Sequence, residues 1–170
     1  MLPLIYETQH LILRPYRRQD QVRFVEMFLD PSLAKYMDDH LKTEGEALDF
    51  FEKIFELYAA KMDSWFWVWG IYEKDKLCGH LEVKETEHTN ATQLEIVYII
   101  HFAERRKGLM TEVLAFLKKQ SKIWKKQIIA TVDPENTNSI ALLQKWGITQ
   151  QATLHDSATG APYLKLSLAE

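Results

Sequence analysis

The sequence predicts an α+β fold, a mostly antiparallel central sheet flanked by about four helices, and three features carry that prediction. Trp65 to Trp69, Cys78 to Glu85 and the LEIVYII run from Leu94 to Ile100 read as three consecutive strands joined by polar turns. Apolar residues recur at helical spacing at Leu48, Phe51, Phe55, Tyr58 and Met62, and again at Met110, Val113, Leu114, Leu117 and Trp124. Between LEIVYII and the second of these helices stands RRKGLMTE, Arg105 to Glu112, a cluster of cations around one glycine where a strand gives way to a helix.

Taken in order, Ile5, Tyr6 and Leu11 to Leu13 predict a first strand that Pro15 stops. Asp20 can cap a helix carrying Val22, Val25, Phe28 and Leu29, and Pro31 ends it. Thr43 to Glu46 is a capping box, with the Thr43 oxygen meeting the amide three residues on and Glu46 reaching back, so the second helix starts there. Trp65, Trp67 and Trp69 alternate with Phe66 and Val68 as in a strand buried on both faces. Packing is the favoured role of these indoles; Trp67 in an aromatic wall for a substrate is the sharper one. Turns at Glu73 to Lys76 and His88 to Thr92 separate the next strands. After the long helix come a strand at Ile128 to Val132, a turn at Asp133 to Asn136, a short helix that Gly147 terminates, and a final hairpin of Ala152 to His155 with Tyr163 to Leu168.

A chain of 170 residues with 46% apolar and 26% charged residues predicts one globular domain over residues 1–170. Its net charge of -3 gives no general attraction to nucleic acid or to an anionic membrane, so neither is expected as a partner. Lys118, Lys119, Lys122, Lys125 and Lys126 read as a solvated helix face with cations at its C-terminal end. The lone Cys78 excludes an internal disulfide, and no apolar run suggests a signal peptide or a membrane span, so a cytoplasmic location is expected. The histidines are scattered without HExxH or a cysteine cluster, and no metal is expected. A monomer and a homodimer fit equally well.

At the Gly108 junction the first helical turn offers free backbone N–H groups and a partial positive charge, to which the flanking cations add full ones. Such a place binds anions, most naturally phosphate. The order RxxGxM from Arg105 to Met110, the LEIVYII strand before it and NTNSIALLQKWGI from Asn136 to Ile148 together resemble the GNAT superfamily of acetyl-CoA-dependent N-acetyltransferases. HLILRPYRRQD, His10 to Asp20, is similar to the branch containing ribosomal-protein N-terminal acetyltransferases. The resemblance covers nearly the whole chain and implies a GNAT-like mixed sheet, a single acyltransferase domain, and acetyl-CoA as co-substrate. It places the coenzyme pyrophosphate on Arg105, Arg106, Lys107, Gly108, Leu109, Met110 and Thr111, and the pantetheine arm along Val97, Tyr98 and Ile99, with Asn136 and Ser139 also at the cofactor. This chain departs from the family pattern with Met110 where a small residue is usual, and with Arg106 where a second glycine is often found.

Two helices frame the acceptor side in that family, which makes Asp38 and Asp39 between them candidates for acceptor contact. The implied reaction moves an acetyl group to a primary amine, a protein N-terminus or a small molecule, by direct attack; the alternative is a silent module that only binds acyl-CoA. An α-amine has a pKa near ~8 and a lysine amine near ~10.4, so the need for a base depends on the acceptor. Glu95 is the candidate base, directly or through water, and its bland alternative is a structural strand glutamate; Glu82 is a weaker candidate. Ser139 is the candidate proton donor to the leaving thiolate, against the simpler role of a serine in a first helical turn, and Asn136 caps that helix. The acceptor itself is not identified by any motif.

Overall fold

The computed structural model describes residues 3–37, 40–60 and 65–169. In these, the strands are β1 (Tyr6–Glu7), β2 (Ile12–Arg14), β3 (Phe66–Glu73), β4 (Lys76–Lys84), β5 (Gln93–Ile100), β6 (Gln127–Val132), β7 (Ile148–His155) and β8 (Pro162–Leu168). The helices are α1 (Gln21–Phe28), α2 (Glu44–Ala59), α3 (Leu109–Trp124) and α4 (Thr137–Lys145). The strands form one sheet in the order β1-β2-β3-β4-β5-β6-β8-β7. Every neighbouring pair is antiparallel except β5 and β6, which the α3 crossover makes parallel.

Successive strand residues point to opposite faces, and the sequence is apolar on both. Trp69, Leu81, Val83, Leu94 and Ile96 share one core with Val113, Leu114 and Leu117 of α3 and Leu143 of α4. Val68, Tyr72 and Ile99 form a second core with Phe24 and Met27 of α1 and Phe51, Ile54 and Tyr58 of α2. The central strands β3, β4 and β5 are covered on both sides, which is why they read as near-continuous apolar runs, whereas β7 at the sheet edge is mostly exposed.

The first strand is in fact two, because the Thr8 hydroxyl and backbone close a turn onto Leu11 and fold β1 back on β2. Helix α1 begins where expected and buries Phe28 of the predicted stripe, but Phe24 and Met27 join it inside while Val25 and Leu29 are half-buried and Val22 is 69% exposed. Asp20 does not cap it with its side chain. Its carboxylate points into the second core, accepting from the Arg17 N–H and the Tyr72 hydroxyl, both at 2.7 Å, and pairing with Arg14. The capping box of α2 forms as predicted, with the Glu46 N–H donating to Thr43 Oγ1 at 3.2 Å and the Thr43 N–H to Glu46 Oε2 at 3.0 Å. Its buried stripe is Ala47, Phe51, Ile54 and Tyr58; the predicted member Met62 lies outside the described residues.

One irregularity matters for function. Strands β5 and β6 pair only at Gln93 with Gln127, Leu94 with Ile128 and Glu95 with Ile129. Beyond these, β5 stays with β4 as far as Ile100 and β6 stays with β8 as far as Val132. A wedge therefore opens between them toward their C-terminal ends, the side of an open sheet where ligands commonly bind. The N-termini of α3 and α4, the elements that follow β5 and β6, stand at its open end.

Candidate active site

Helix α3 starts at Leu109 with Gly108 as its N-cap at φ 78°, and among the described residues no side chain caps it. The first-turn N–H groups are therefore presented outward beside an open backbone, since a Cβ built on Gly108 would meet nothing within 4 Å. Arg106 also adopts a left-handed conformation, φ 63°, the region that glycine enters without strain. Met110 departs from the family's small residue without obstructing the turn: it is buried in the core with Val113 and Leu114. Leu109 is half-buried against the same core, and Thr111 is half-buried in the first turn.

The cations divide their work in a way the motif did not announce. Arg105 donates to Ile100 O at 3.1 Å, Ser32 Oγ at 2.9 Å and Asp30 Oδ2 at 2.5 Å, tying the segment after α1 to the loop. Burial pushes the Asp30 carboxyl up, but the Ser32 donors and Arg105 outweigh it and hold it below its usual range. Lys107 donates to Glu104 at 2.7 Å, a buried carboxylate that Arg23 and Lys76 also contact at 3.1 Å. Burial would raise the Glu104 pKa, yet the Lys107 and Lys76 ammonium groups bring it down to about 2. Arg106 is exposed and, among the described residues, has no acidic partner.

Two side-chain bridges span the wedge, one on each face of the sheet. On the α1 and α2 face, Glu95 is 4% exposed and accepts hydrogen bonds from Thr131 Oγ1 of β6 and Thr86 Oγ1 of the preceding turn, each at 2.5 Å. It clips β5 to β6 just where their pairing stops. On the α3 and α4 face, the Tyr98 hydroxyl lies 2.6 Å from Ser139 Oγ. Asn136 caps α4 as expected, its Oδ1 accepting from the Ser139 N–H at 3.2 Å, so the serine hydroxyl is held at the lip of the wedge. Burial raises the Tyr98 pKa and the Ser139 contact offsets only part of this. The backbone of Val97 to Ile99 runs along the wedge with no strand pairing on its inner edge among the described residues.

Glu82 stands on β4, cross-strand from Val97 on the side of β5 away from the wedge. It is 5% exposed, accepting from Lys84 Nζ at 2.6 Å and lying 3.0 Å from His80 Nε2, while His80 Nδ1 lies 2.8 Å from the Tyr16 hydroxyl. Burial raises the Glu82 pKa, but His80 and Lys84 more than reverse this and set it at about 2. A cleft of about 440 Å³ lined by His40, Glu46, Asp49, Phe50 and Lys53 opens on the same face, and the Phe50 ring lies 6.2 Å from that of His80.

Trp67 is not brought to this group. Its cross-strand row places it on the opposite face from Phe66, Lys84 and Glu95, where it packs against Trp65, Trp69 and Trp124 with ring separations of 4.4 to 5.5 Å. Asp38 and Asp39 lie outside the described residues. The sequence does not announce Thr131, Asp30 or the His80–Tyr16 contact, whose partners lie 36 to 75 residues away, nor Thr86, which reaches Glu95 only through the fold of the turn between β4 and β5. Among the described residues no cluster of His, Cys, Asp or Glu could hold a metal ion, and no helix is long and apolar enough to cross a membrane.

Residues 10–149 match the family described as acetyltransferase (GNAT) domain. No curated protein sequence matches the chain. Among solved structures, an acetyltransferase of the GNAT family from Bacillus anthracis is similar over 97% of this chain and 98% of its own, with a TM-score of 0.78 at 21% identity. The ribosomal-protein-S5-alanine acetyltransferase from Vibrio fischeri is similar over 97% and 96%, with a TM-score of 0.73 at 16% identity. Mycobacterium smegmatis RimJ, in complex with a CoA disulfide, is similar over 93% and 81%, with a TM-score of 0.72 at 18% identity. At these identities the likeness is one of fold.

Proposed function

The chain belongs to the GNAT acetyltransferase family, and from that premise we propose that residues 1–170 act as one domain that moves an acetyl group from acetyl-CoA to a primary amine. The observation that carries this is the uncapped N-terminus of α3, with Gly108 at φ 78°, at the open end of the β5/β6 wedge. The residues present suit the co-substrate. First-turn amides with Arg106 beside them would hold the diphosphate, and the unpaired edge of Val97 to Ile99 would bond the pantetheine amides. Arg105 and Lys107 shape the loop through Asp30 and Glu104 and leave direct phosphate contact to the backbone and Arg106.

In the reaction a C–N bond forms as the amine lone pair attacks the thioester carbonyl. The carbonyl π pair moves to oxygen and returns as the C–S bond breaks, the sulfur leaves with that bond's electron pair, and the nitrogen loses one proton. The chain supplies orientation and hydrogen bonds. Amides along the wedge edge would meet the developing oxyanion, and Ser139 would donate to the leaving sulfur. Glu82, titrating at about 2, is far too weak a base to strip an ammonium group at neutral pH. Glu95 is occupied by two hydroxyls, and we assign it first to holding the wedge and second to accepting a proton through water. An acceptor that is partly neutral without help, an α-amine with a pKa near ~8, suits such a site better than a lysine side chain. The cleft beside Phe50, on the Glu95 face, is the proposed approach.

Release of CoA thiol from acetyl-CoA tests this against alanyl and seryl peptides, spermidine and an aminoglycoside, with mass detection of the product. Turnover is expected to be fastest with an α-amine. No turnover with any of these amines at saturating donor would sink the proposal.

A further inference from the structure

The Tyr98 hydroxyl and Ser139 Oγ face each other at 2.6 Å across the wedge, one on β5 and one in the first turn of α4. One proton lies between two hydroxyls, and the arrangement leaves the other proton free to point elsewhere. Resting on the acetyl-transfer assignment above, we propose that Tyr98 is a positioning residue. It donates to Ser139 Oγ and so turns the serine's own O–H toward the sulfur that departs.

Either oxygen could donate at this distance, and three arguments support this direction. A phenol is the more acidic of the two hydroxyls and hence the better donor, so the stable arrangement has Tyr98 O–H pointing at Ser139. The Asn136 cap holds Ser139 by its backbone N–H, which leaves rotation of the hydroxyl as the serine's main freedom, and Tyr98 removes it. The Tyr98 ring is part-buried against the α3 and α4 core, so its own hydroxyl has little freedom to serve another partner.

Tyr98 does not become the acid. A thiolate near ~8.5 does not take a proton from a phenol near ~10, which burial raises further here. The pair instead offers a polarised hydrogen bond to the electron pair arriving on sulfur as the C–S bond breaks. The proton that finally neutralises the thiolate comes by way of solvent and balances the one lost by the attacking nitrogen. No proton is consumed from either side chain over a cycle.

The test compares wild type, Tyr98→Phe, Ser139→Ala and the double variant with acetyl-CoA and the fastest acceptor among an alanyl peptide, spermidine and hydroxylamine, together with CoA binding by calorimetry. Loss of one orienting hydrogen bond is expected to lower kcat about five-fold in Tyr98→Phe while KM for acetyl-CoA and CoA affinity stay within two-fold, roughly the worth of a single neutral bond. In the Ser139→Ala background the same change is expected to cost nothing more, since the group it orients is gone. Equal losses in both backgrounds, an unchanged kcat, or a change confined to KM would overturn the proposal and leave Tyr98 as part of the wedge wall. Absence of CoA binding or turnover in the wild-type protein would instead remove the acetyl-transfer assignment, and this inference with it.

Discussion

Arg106 occupies a backbone conformation that suits glycine, and its neighbour Gly108 occupies another. A non-glycine residue in this region costs on the order of 1 kcal/mol, whereas glycine would add a similar entropy to the unfolded chain. Arg106→Gly is therefore expected to leave stability within about 1 kcal/mol of wild type while weakening CoA binding about three- to ten-fold, more at low salt, through loss of the exposed cation. Calorimetry at two ionic strengths checks this; unchanged affinity would mean the guanidinium serves something other than phosphate. Gly108→Val is a harsher change. A β-branched side chain at φ 78° is strained by roughly 1–3 kcal/mol, and its carbons would project into the space before the first-turn amides. CoA affinity is expected to fall at least about ten-fold with the melting temperature also lowered, and a variant that bound CoA normally would place the diphosphate elsewhere.

At the scale of elements, the wedge depends on a clip that stops β5 and β6 from separating further. Thr131→Val keeps the shape of the side chain but takes one donor from the buried Glu95 carboxylate, which is expected to cost about 1–2 kcal/mol in urea unfolding. Stability unmoved by Thr131→Val, with the pH dependence of kcat shifted, would instead make Glu95 a working base. Local signals were legible in the sequence: Thr43 and Glu46 lie three residues apart, and so do Asn136 and Ser139, so both helix starts could be read directly. In α1 the pattern marks Phe28 as inward but not Phe24 or Met27, because eight residues admit two apolar stripes and the packing of Phe24 and Met27 with α2 decides between them. The wedge leaves no mark in LEIVYII, which is equally apolar whether paired along one edge or two. The pairing of Arg105 with Asp30 leaves no mark in the sequence because the two lie 75 residues apart.

Across the whole molecule, two buried carboxylates carry ion pairs, Glu82 with His80 and Lys84 of its own strand and Glu104 with cations from three elements. Glu82 lies beneath α1 and α2, and Glu104 gathers Arg23 of α1, Lys76 of β4 and Lys107 of the loop. Both titrate at about 2 in the fold, below the value near ~4.3 of an unfolded glutamate. Their contribution is therefore present above that unfolded value and lost as pH falls toward the folded one. Glu82 should account for roughly 2–3 kcal/mol at neutral pH. Glu104 contributes less, because Lys76 and Lys107 are 42% and 52% exposed and screened by water. Melting temperature is expected to be level from pH 8 to about 5 and to drop between pH 4 and 2. Glu82→Gln should start lower and fall less over that interval, and an unaltered acid limb in this variant would show that other groups govern it.

The single parallel junction between β5 and β6 also bears on how the polypeptide is made. Strands β1 to β5 satisfy one another through antiparallel contacts, so a nascent chain emerging from the ribosome can assemble more than half of the sheet before α3 has left the tunnel. The remaining strands must then add along an edge that offers them only three residues of purchase. That late docking step is where a stalled chain would expose the rim of β5 to a neighbour, and where a chaperone would find most to protect.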